Sequence, residues 1–308
     1  MQAQGGLTIE RMCELGKVSR AGFYRHWQEH EPEAEAMEIR AQIQEVVLAH
    51  RGRYGYRRVA WELKNRGVVV NHKRVLHIMQ QDNLLAVRRR KFILTTDAHH
   101  DLPVYLNLAA RLQLSGLNQL WVADLTYIRV REEFLYLAVV LDAFSRRVVG
   151  WAVDDCLHAP LAIAALRQAI TERRPAPSLV HHSDRGIQYA SQDYRAILRE
   201  HGIASSMSRT GNPYDNAKCE SFIKTLKQEE IYTREYRDRA DLETHIAEFL
   251  EQYYNRVRLH SALQYRSPEQ FENSLRAVPA PWAAAQMSFF RHEEIYRSDE
   301  ISNSGRNA

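Results

Sequence analysis

The chain has 308 residues, 45% of them hydrophobic, with a net charge of +4 and a mean hydropathy of −0.48. That length is enough for two domains, and no apolar run reaches the roughly 18 residues that a membrane span requires, so no membrane partner is expected. The first residues, MQAQGGLTIERMCELG, lack the basic-then-apolar layout of a secretory signal, and Cys13, Cys156 and Cys219 form neither a CxxC pair nor a disulfide framework, which places the protein in a reducing cytoplasm and excludes a Cys/His zinc site.

Residues 1–30 read as a partial helix-turn-helix. A helix over 8–15 ends at Gly16, and Ser19 caps a second helix through Phe23 and Trp27. Residues 36–95 read as a helical DNA-binding domain. Its first helix carries the apolar stripe Ile39, Ile43, Val46 and Val47. A second runs over 57–66 with Val59 and Leu63 inward and Gly67 as its stop, and Asn71 caps a third bearing Val75, Leu76, Ile78 and Met79. Between Arg51 and Lys91, twelve Lys or Arg face two acids, Glu62 and Asp82. That excess is the electrostatic footprint expected for a polyanion, with Arg57, Arg58, Lys73, Arg74, Arg88, Arg89, Arg90 and Lys91 as candidate DNA contacts. Residues 96–118, including the pair His99 and His100, read as a linker.

The pattern changes at Gln119. WVADLTYIRV, FLYLAVVLDA and RRVVGWAV are β-branched apolar runs with short breaks, the signature of an antiparallel meander. A helix over 160–172, the buried strand LVHHSD, a helix over 191–201, the short strand ASSMS and a long helix from about Asp215 complete an α/β layer arrangement with a mixed five-stranded sheet. One further amphipathic helix spans 238–254, and Ser267-Pro268-Glu269-Gln270 has the form of a capping box. This core covers 119–276; the pattern then fades, and 277–308 reads as a poorly ordered tail.

Three acids stand out. Asp124 sits inside the first strand, where a carboxylate is costly unless paired or bound to metal; a sheet-edge position or a pair with Arg129 would also explain it. Asp184 ends LVHHSD and precedes Arg185-Gly186, either as a strand-end ligand residue or as a turn former. Glu220 lies one turn into its helix with Lys224 and Lys227 on the same face, either functional or part of an ordinary ion-pair stripe. Asp142, in LDAFSR, is a strand-end rival to Asp124, and the pair His181 and His182 lacks the further ligands zinc would need. Together an Asp in strand one, an Asp at a later strand end and a Glu on the next helix can converge. Oxygen-only ligands suit Mg²⁺ or Mn²⁺, and two such ions per site would support in-line phosphoryl transfer with no side-chain nucleophile.

The blocks W-V-A-D-L-T-Y-I, H-S-D-R-G-I-Q-Y and G-N-P-Y-D-N-A-K-C-E-S-F, with thirty-five residues between Asp184 and Glu220, resemble the three signatures of DDE transposases related to retroviral integrases. The end block Y-Y-N-R-V-R-L-H-S-A-L-Q-Y-R-S-P-E-Q-F and the upstream R-Y-G-Y-R-R-V and V-N-H-K-R-V extend the similarity over about residues 8–272. The match is nearest to the second-reading-frame transposases of two-frame, copy-out paste-in bacterial insertion sequences. This resemblance implies a ribonuclease H-like core with Asp124, Asp184 and Glu220 as catalytic metal ligands. It implies Lys227 near DNA phosphate, His182 and Gly186 beside Asp184, and Asn212, Tyr214, Asp215 (as a helix cap) and Asn216 in the loop before Glu220. It further implies cleavage and joining of DNA at element terminal repeats and target DNA, a homo-oligomer of at least two subunits, and an upstream-frame DNA-binding partner or fusion. A DNA-end binder without chemistry has no use for the acidic trio; a nuclease that only hydrolyses has less use for the basic helices and Lys227.

Overall fold

The computed structural model describes residues 8–26, 34–86, 105–109, 112–208 and 216–277. Arg88, Arg89, Arg90, Lys91, His99, His100, Asn212, Tyr214, Asp215 and the tail after Ala277 lie outside them. The chain divides into two compact units, Met1–Ala86 and Val87–Ala308.

In the first unit, α1 (Ile9–Gly16) begins where Thr8 Oγ1 accepts the Arg11 N–H at 3.3 Å. Its end differs from expectation: Gly16 stays helical, and Lys17 makes the left-handed turn at φ 50°, its N–H closing on Cys13 and Glu14 carbonyls. Ser19 Oγ then accepts the Gly22 N–H at 3.0 Å to start α2 (Arg20–His26). The helices α3 (Ala34–Ala49), α4 (Tyr56–Asn65) and α5 (His72–Gln81) pack through Ile39, Ile43, Val46, Val47, Val59, Leu63, Val75, Ile78 and Met79, all buried. Each such side chain withdrawn from water contributes roughly 1.5–3 kcal/mol. Gly67 follows α4 at φ +87°, a conformation that L side chains rarely adopt. Asn71 Oδ1 accepts the Lys73 N–H at 2.9 Å and caps α5. Arg40 pairs with Asp82, and Arg66 with Glu45 and Glu62, so part of the basic surplus is consumed within the bundle.

The second unit is a three-layer α/β/α body. The strands β1 (Leu120–Val130), β2 (Glu133–Asp142) and β3 (Val148–Asp154) form the antiparallel meander. After α6 (Ala159–Arg173) comes β4 (Val180–Ser183), parallel to β1. The chain then forms α7 (Ile187–Ala190), α8 (Gln192–Glu200) and β5 (Ala204–Met207), which runs parallel to β4. The sheet order is β3-β2-β1-β4-β5, the mixed, ribonuclease H-like arrangement expected. The helices α9 (Ala217–Glu229), α10 (Arg239–Ala247) and α11 (Pro268–Ala277) complete the unit.

Strand alternation builds two cores. Val122, Ile128 and Val130 of β1 face Cys219, Phe222 and Leu226 of α9 and Leu242 and Ile246 of α10. Trp121, Ala123 and Leu125 face Leu161, Leu166 and Ala169 of α6 and Tyr194 and Leu198 of α8. Gly150 lets α6 lie on β3, since a Cβ there would stand 2.2 Å from the Ala165 carbonyl oxygen.

Two helices differ from the sequence expectation. The helix expected over 191–201 is α8, where Ser191 is extended and its Oγ accepts the Tyr194 N–H, and the short helix α7 stands before it unforeseen. The helix expected over 238–254 is α-helical only to Ala247; Glu248–Tyr254 winds as a π-helix, burying Phe249, Leu250 and Tyr254. The residues after it tie the unit together. The Asn255 amide bonds both the N–H and the C=O of Val148, covering the edge of β3 at 3.0 and 2.9 Å. Buried Arg258 pairs with Glu229 at the end of α9 at 2.6 and 2.8 Å. The capping box forms reciprocally, Gln270 N–H to Ser267 Oγ at 3.2 Å and Ser267 N–H to Gln270 Oε1 at 3.0 Å. No helix among the described residues is long and apolar enough to cross a membrane.

Candidate active site

The parallel pairing of β1 with β4 ends at Val122 opposite His182. Asp124 and Asp184 each lie two residues beyond that pair, so the two carboxylates leave adjacent strands at equivalent positions. Neighbouring strands run ~4.8 Å apart, and the carboxyl ends of parallel strands are where open α/β sheets place ligands. In the alternation of β1, Asp124 shares the α9-facing side with Val122 and Ile128. It is half-buried, and among the described residues its Oδ1 accepts only the N–H of its own neighbour Leu125, at 2.8 Å. Arg129 turns elsewhere, donating to the Arg131 carbonyl, so the salt-bridge alternative does not hold.

Helix α9 is pinned above this point by Asn216. Its Nδ2 donates to the carbonyl of Ala123, beside Asp124, at 3.1 Å, and its Oδ1 is buried without a partner among the described residues. Asn216 occupies the N-cap position, and Glu220 stands one turn later, exposed. Burial, followed by the charge of Asp184 and more weakly that of Glu220, pushes the Asp124 carboxyl up to about 7, against the opposing Leu125 N–H and Lys227. Burial also raises Glu220. Lys227 lies with its Nζ 4.8 Å from the centre of the Tyr127 ring; burial lowers its pKa, and Asp124 opposes that shift. Lys224 is exposed.

Around Asp184 the fit is close. Gly186 donates its N–H to Asp184 Oδ1 at 2.9 Å, and a Cβ on Gly186 would stand 3.0 Å from that same oxygen. What favours glycine here is space, not backbone angle, since its φ is −59° and a Cβ would press on the Asp184 and Gln188 side chains. His182 belongs to β4 rather than to the loop: its Nδ1 and Nε2 lie 2.8 and 3.0 Å from the hydroxyls of Ser206 and Ser208, joining β4 to the chain of β5. His181 points the other way, its Nε2 2.9 Å from the Tyr194 hydroxyl, so the pair cannot share a zinc ion. Asp142 is a structural residue. Its carboxylate accepts N–H groups from Asn118, Phe144 and Ser145, and Arg173 lies beside it.

Two neighbours had no role assigned from sequence. Cys219 is wholly buried beside Asp124 and Asp184, and burial and those charges raise its thiol, keeping it inert. Tyr189 closes the H-S-D-R-G-I-Q-Y block, and its buried hydroxyl has no partner among the described residues, an arrangement that costs about 1–3 kcal/mol. Only the block's final residue type could have flagged it.

The candidate donor set is three carboxylates, all oxygen donors, which fits a hard divalent cation such as Mg²⁺ or Mn²⁺. Clustered negative charge with one lysine nearby is what such a cation would relieve. The acids share one electrostatic neighbourhood without closing into a ligand cluster: no three His, Cys, Asp or Glu side chains among the described residues are gathered to grip an ion. In the first unit, Tyr56 stacks on His72 with ring centres 6.0 Å apart, setting the first turns of α4 and α5 side by side. Arg57 and Arg58 lie over the rings of Tyr56 and Tyr54 at 5.1 and 5.6 Å, and Lys73 and Arg74 are exposed on the first turn of α5.

The sheet order is thus joined to an acid within β1, one just past β4 and one on α9. Residues 115–213 and 201–268 match the integrase core domain family, and residues 34–92 match an HTH-like domain. An insertion element IS600 protein of 31 kDa from Shigella sonnei is 38% identical over 273 residues, covering 87% of this chain and all of that one. The transposase InsF for insertion sequence IS3A of Escherichia coli K12 is 38% identical over 275 residues, 88% of this chain and 96% of its own. Among solved structures, the HTLV-2 integrase catalytic core domain in complex with magnesium is 20% identical, covers 51% of this chain and 97% of that one, and has a TM-score of 0.40. The chain belongs to the integrase-core transposases of bacterial insertion sequences.

Proposed function

We propose that Asp124, Asp184 and Glu220 hold two divalent ions, Mg²⁺ or Mn²⁺, and catalyse DNA cleavage and strand transfer at insertion-sequence ends. The observation that carries this reading is the register of β1 and β4, which sends two aspartates out of adjacent strands at equivalent positions, with the Asn216 amide holding the helix of Glu220 against the same strand. When bound, the ions activate the attacking oxygen and offset charge on the leaving oxygen. The residues of the chain orient the rest. Gly186 fixes the Asp184 carboxylate by its N–H, and Lys227 stands beside Asp124 with an ammonium available to a DNA phosphate. A water oxygen, and then a DNA 3′-hydroxyl oxygen, forms the new bond to phosphorus as the P–O3′ bond breaks, the departing 3′ oxygen taking up a proton.

The basic first turns of α4 and α5, with Arg57, Arg58, Lys73 and Arg74, serve as a DNA-binding surface, positive side chains and helix N-termini together favouring phosphate. Acting on element terminal repeats and target DNA calls for at least two subunits, together with an upstream-frame DNA-binding partner or fusion. The test is a joining assay with Mg²⁺ or Mn²⁺, a labelled element-end oligonucleotide and target DNA. Joined products are expected from the native protein, supplied with the upstream-frame domain, and a loss of at least ~100-fold from Asp124→Asn or Glu220→Gln. Joining at native rates by either variant removes that residue from the chemistry.

A further inference from the structure

Tyr189 has its ring in use and its hydroxyl idle. The ring packs edge-to-face on Tyr194 at 5.4 Å and lies 6.3 Å from His181, contacts that a phenylalanine would make equally well. The residue is 3% exposed, and its Oη has no hydrogen-bond partner among the described residues. The neighbouring Tyr194 hydroxyl is satisfied by His181 at 2.9 Å. A buried hydroxyl without a partner is disfavoured and requires an explanation, such as an acceptor that arrives in another state of the site.

The acceptor at hand is Asp184. A Cβ on Gly186 would stand 3.0 Å from Asp184 Oδ1 and 3.6 Å from Tyr189 Cδ2, so carboxylate and ring flank the space of one missing methyl group. After burial, the charge of Asp184 is the strongest influence on the phenol, ahead of Asp124. The short helix α7 begins three residues after Asp184 and holds Tyr189 in place through its N–H to the Gly186 carbonyl at 3.0 Å.

We propose that Tyr189 is a positioning residue: its Oη–H donates to the Asp184 carboxylate when that carboxylate turns onto a bound divalent cation, fixing which oxygen faces the ion. This rests on the reading that the acidic trio binds divalent ions. Partners that hydrogen-bond a ligating carboxylate set its orientation, and their loss weakens metal binding by about 10–100-fold.

The test uses the full chain and Mn²⁺ alone, with calorimetric titration and thermal unfolding of native, Tyr189→Phe and Asp184→Asn proteins. Tyr189→Phe is expected to weaken Mn²⁺ binding about 10-fold and to shrink the Mn²⁺-induced rise in Tm, while its metal-free Tm equals or exceeds the native value. Native Mn²⁺ affinity in Tyr189→Phe, with or without a lower metal-free Tm, overturns the proposal; if Asp184→Asn has meanwhile lost Mn²⁺, the metal-site reading stands without it. A native protein that binds Mn²⁺ no better than Asp184→Asn overturns both.

Discussion

Asp124 and Asp142 are two carboxylates of one sheet that differ in what occupies their oxygens. Asp142 is completely buried, and three backbone N–H groups and Arg173 consume it. Among the described residues Asp124 accepts from its own neighbour only, and it lies within β1 where the charge of Asp184 reaches it. Residue type and strand context marked both; only the count of donors around each separates a turn from a candidate ligand. His181 supports a prediction at the same scale. Burial, with His182 adding to it, lowers its pKa to about 3 from the ordinary 6.5. The unfolded chain therefore binds a proton there between pH 6.5 and 3 that the folded chain refuses, so stability is full above pH 6.5 and falls as the pH drops through that window. Urea midpoints at pH 7.5 and 4.5 should fall with acid by an amount that is smaller in His181→Gln; an equal fall in both proteins would show that another group controls acid stability.

At the scale of elements, the end block Y-Y-N-R-V-R-L-H has a mechanical purpose its resemblance did not reveal. An edge strand exposes unpaired N–H and C=O groups that invite pairing with another chain. Asn255 covers both groups of Val148, and Gln168 Oε1 accepts the Trp151 N–H at 2.6 Å. Asn255→Ala should cost about 2–3 kcal/mol in urea unfolding, since two buried backbone groups lose their partner. Asn255→Asp, which keeps an acceptor but no donor, should not restore the loss; full recovery in Asp would show that the carbonyl contact contributes nothing. Arg173 performs a similar closure for α11, with a bidentate bond to Glu272 at 2.8 and 2.9 Å.

For the whole molecule, the structure divides labour between a basic helical unit and a sheet unit with the acids. The proposed DNA surface of the first unit is testable by salt. Arg57 is exposed, while Arg58 is half-buried over Tyr54. Arg57→Ala should lower the salt slope of DNA binding by about one with an unchanged Tm, while Arg58→Ala should also reduce Tm. An unchanged slope in both would take these arginines out of the interface.

Local pattern determined a great deal of this protein. The alternation of β1 to β3, the stripes of α3 to α5, the Asn71 cap and the Ser267 capping box depend on neighbours within a few residues, and all were legible. What lay beyond reach was non-local or cumulative. The π-winding after Ala247 and the short turn of α7 before Ser191 were settled by which side chains the sheet could bury and which backbone groups needed partners. The site itself was half legible. Spacing placed Asp124, Asp184 and Glu220 in order along the chain. That Asp124 and Asp184 leave adjacent strands in register, and that Asn216 clamps α9 to Ala123, depend on contacts between residues far apart in sequence, because only folding brings them together, and so does the burial that leaves the Tyr189 hydroxyl without a partner among the described residues.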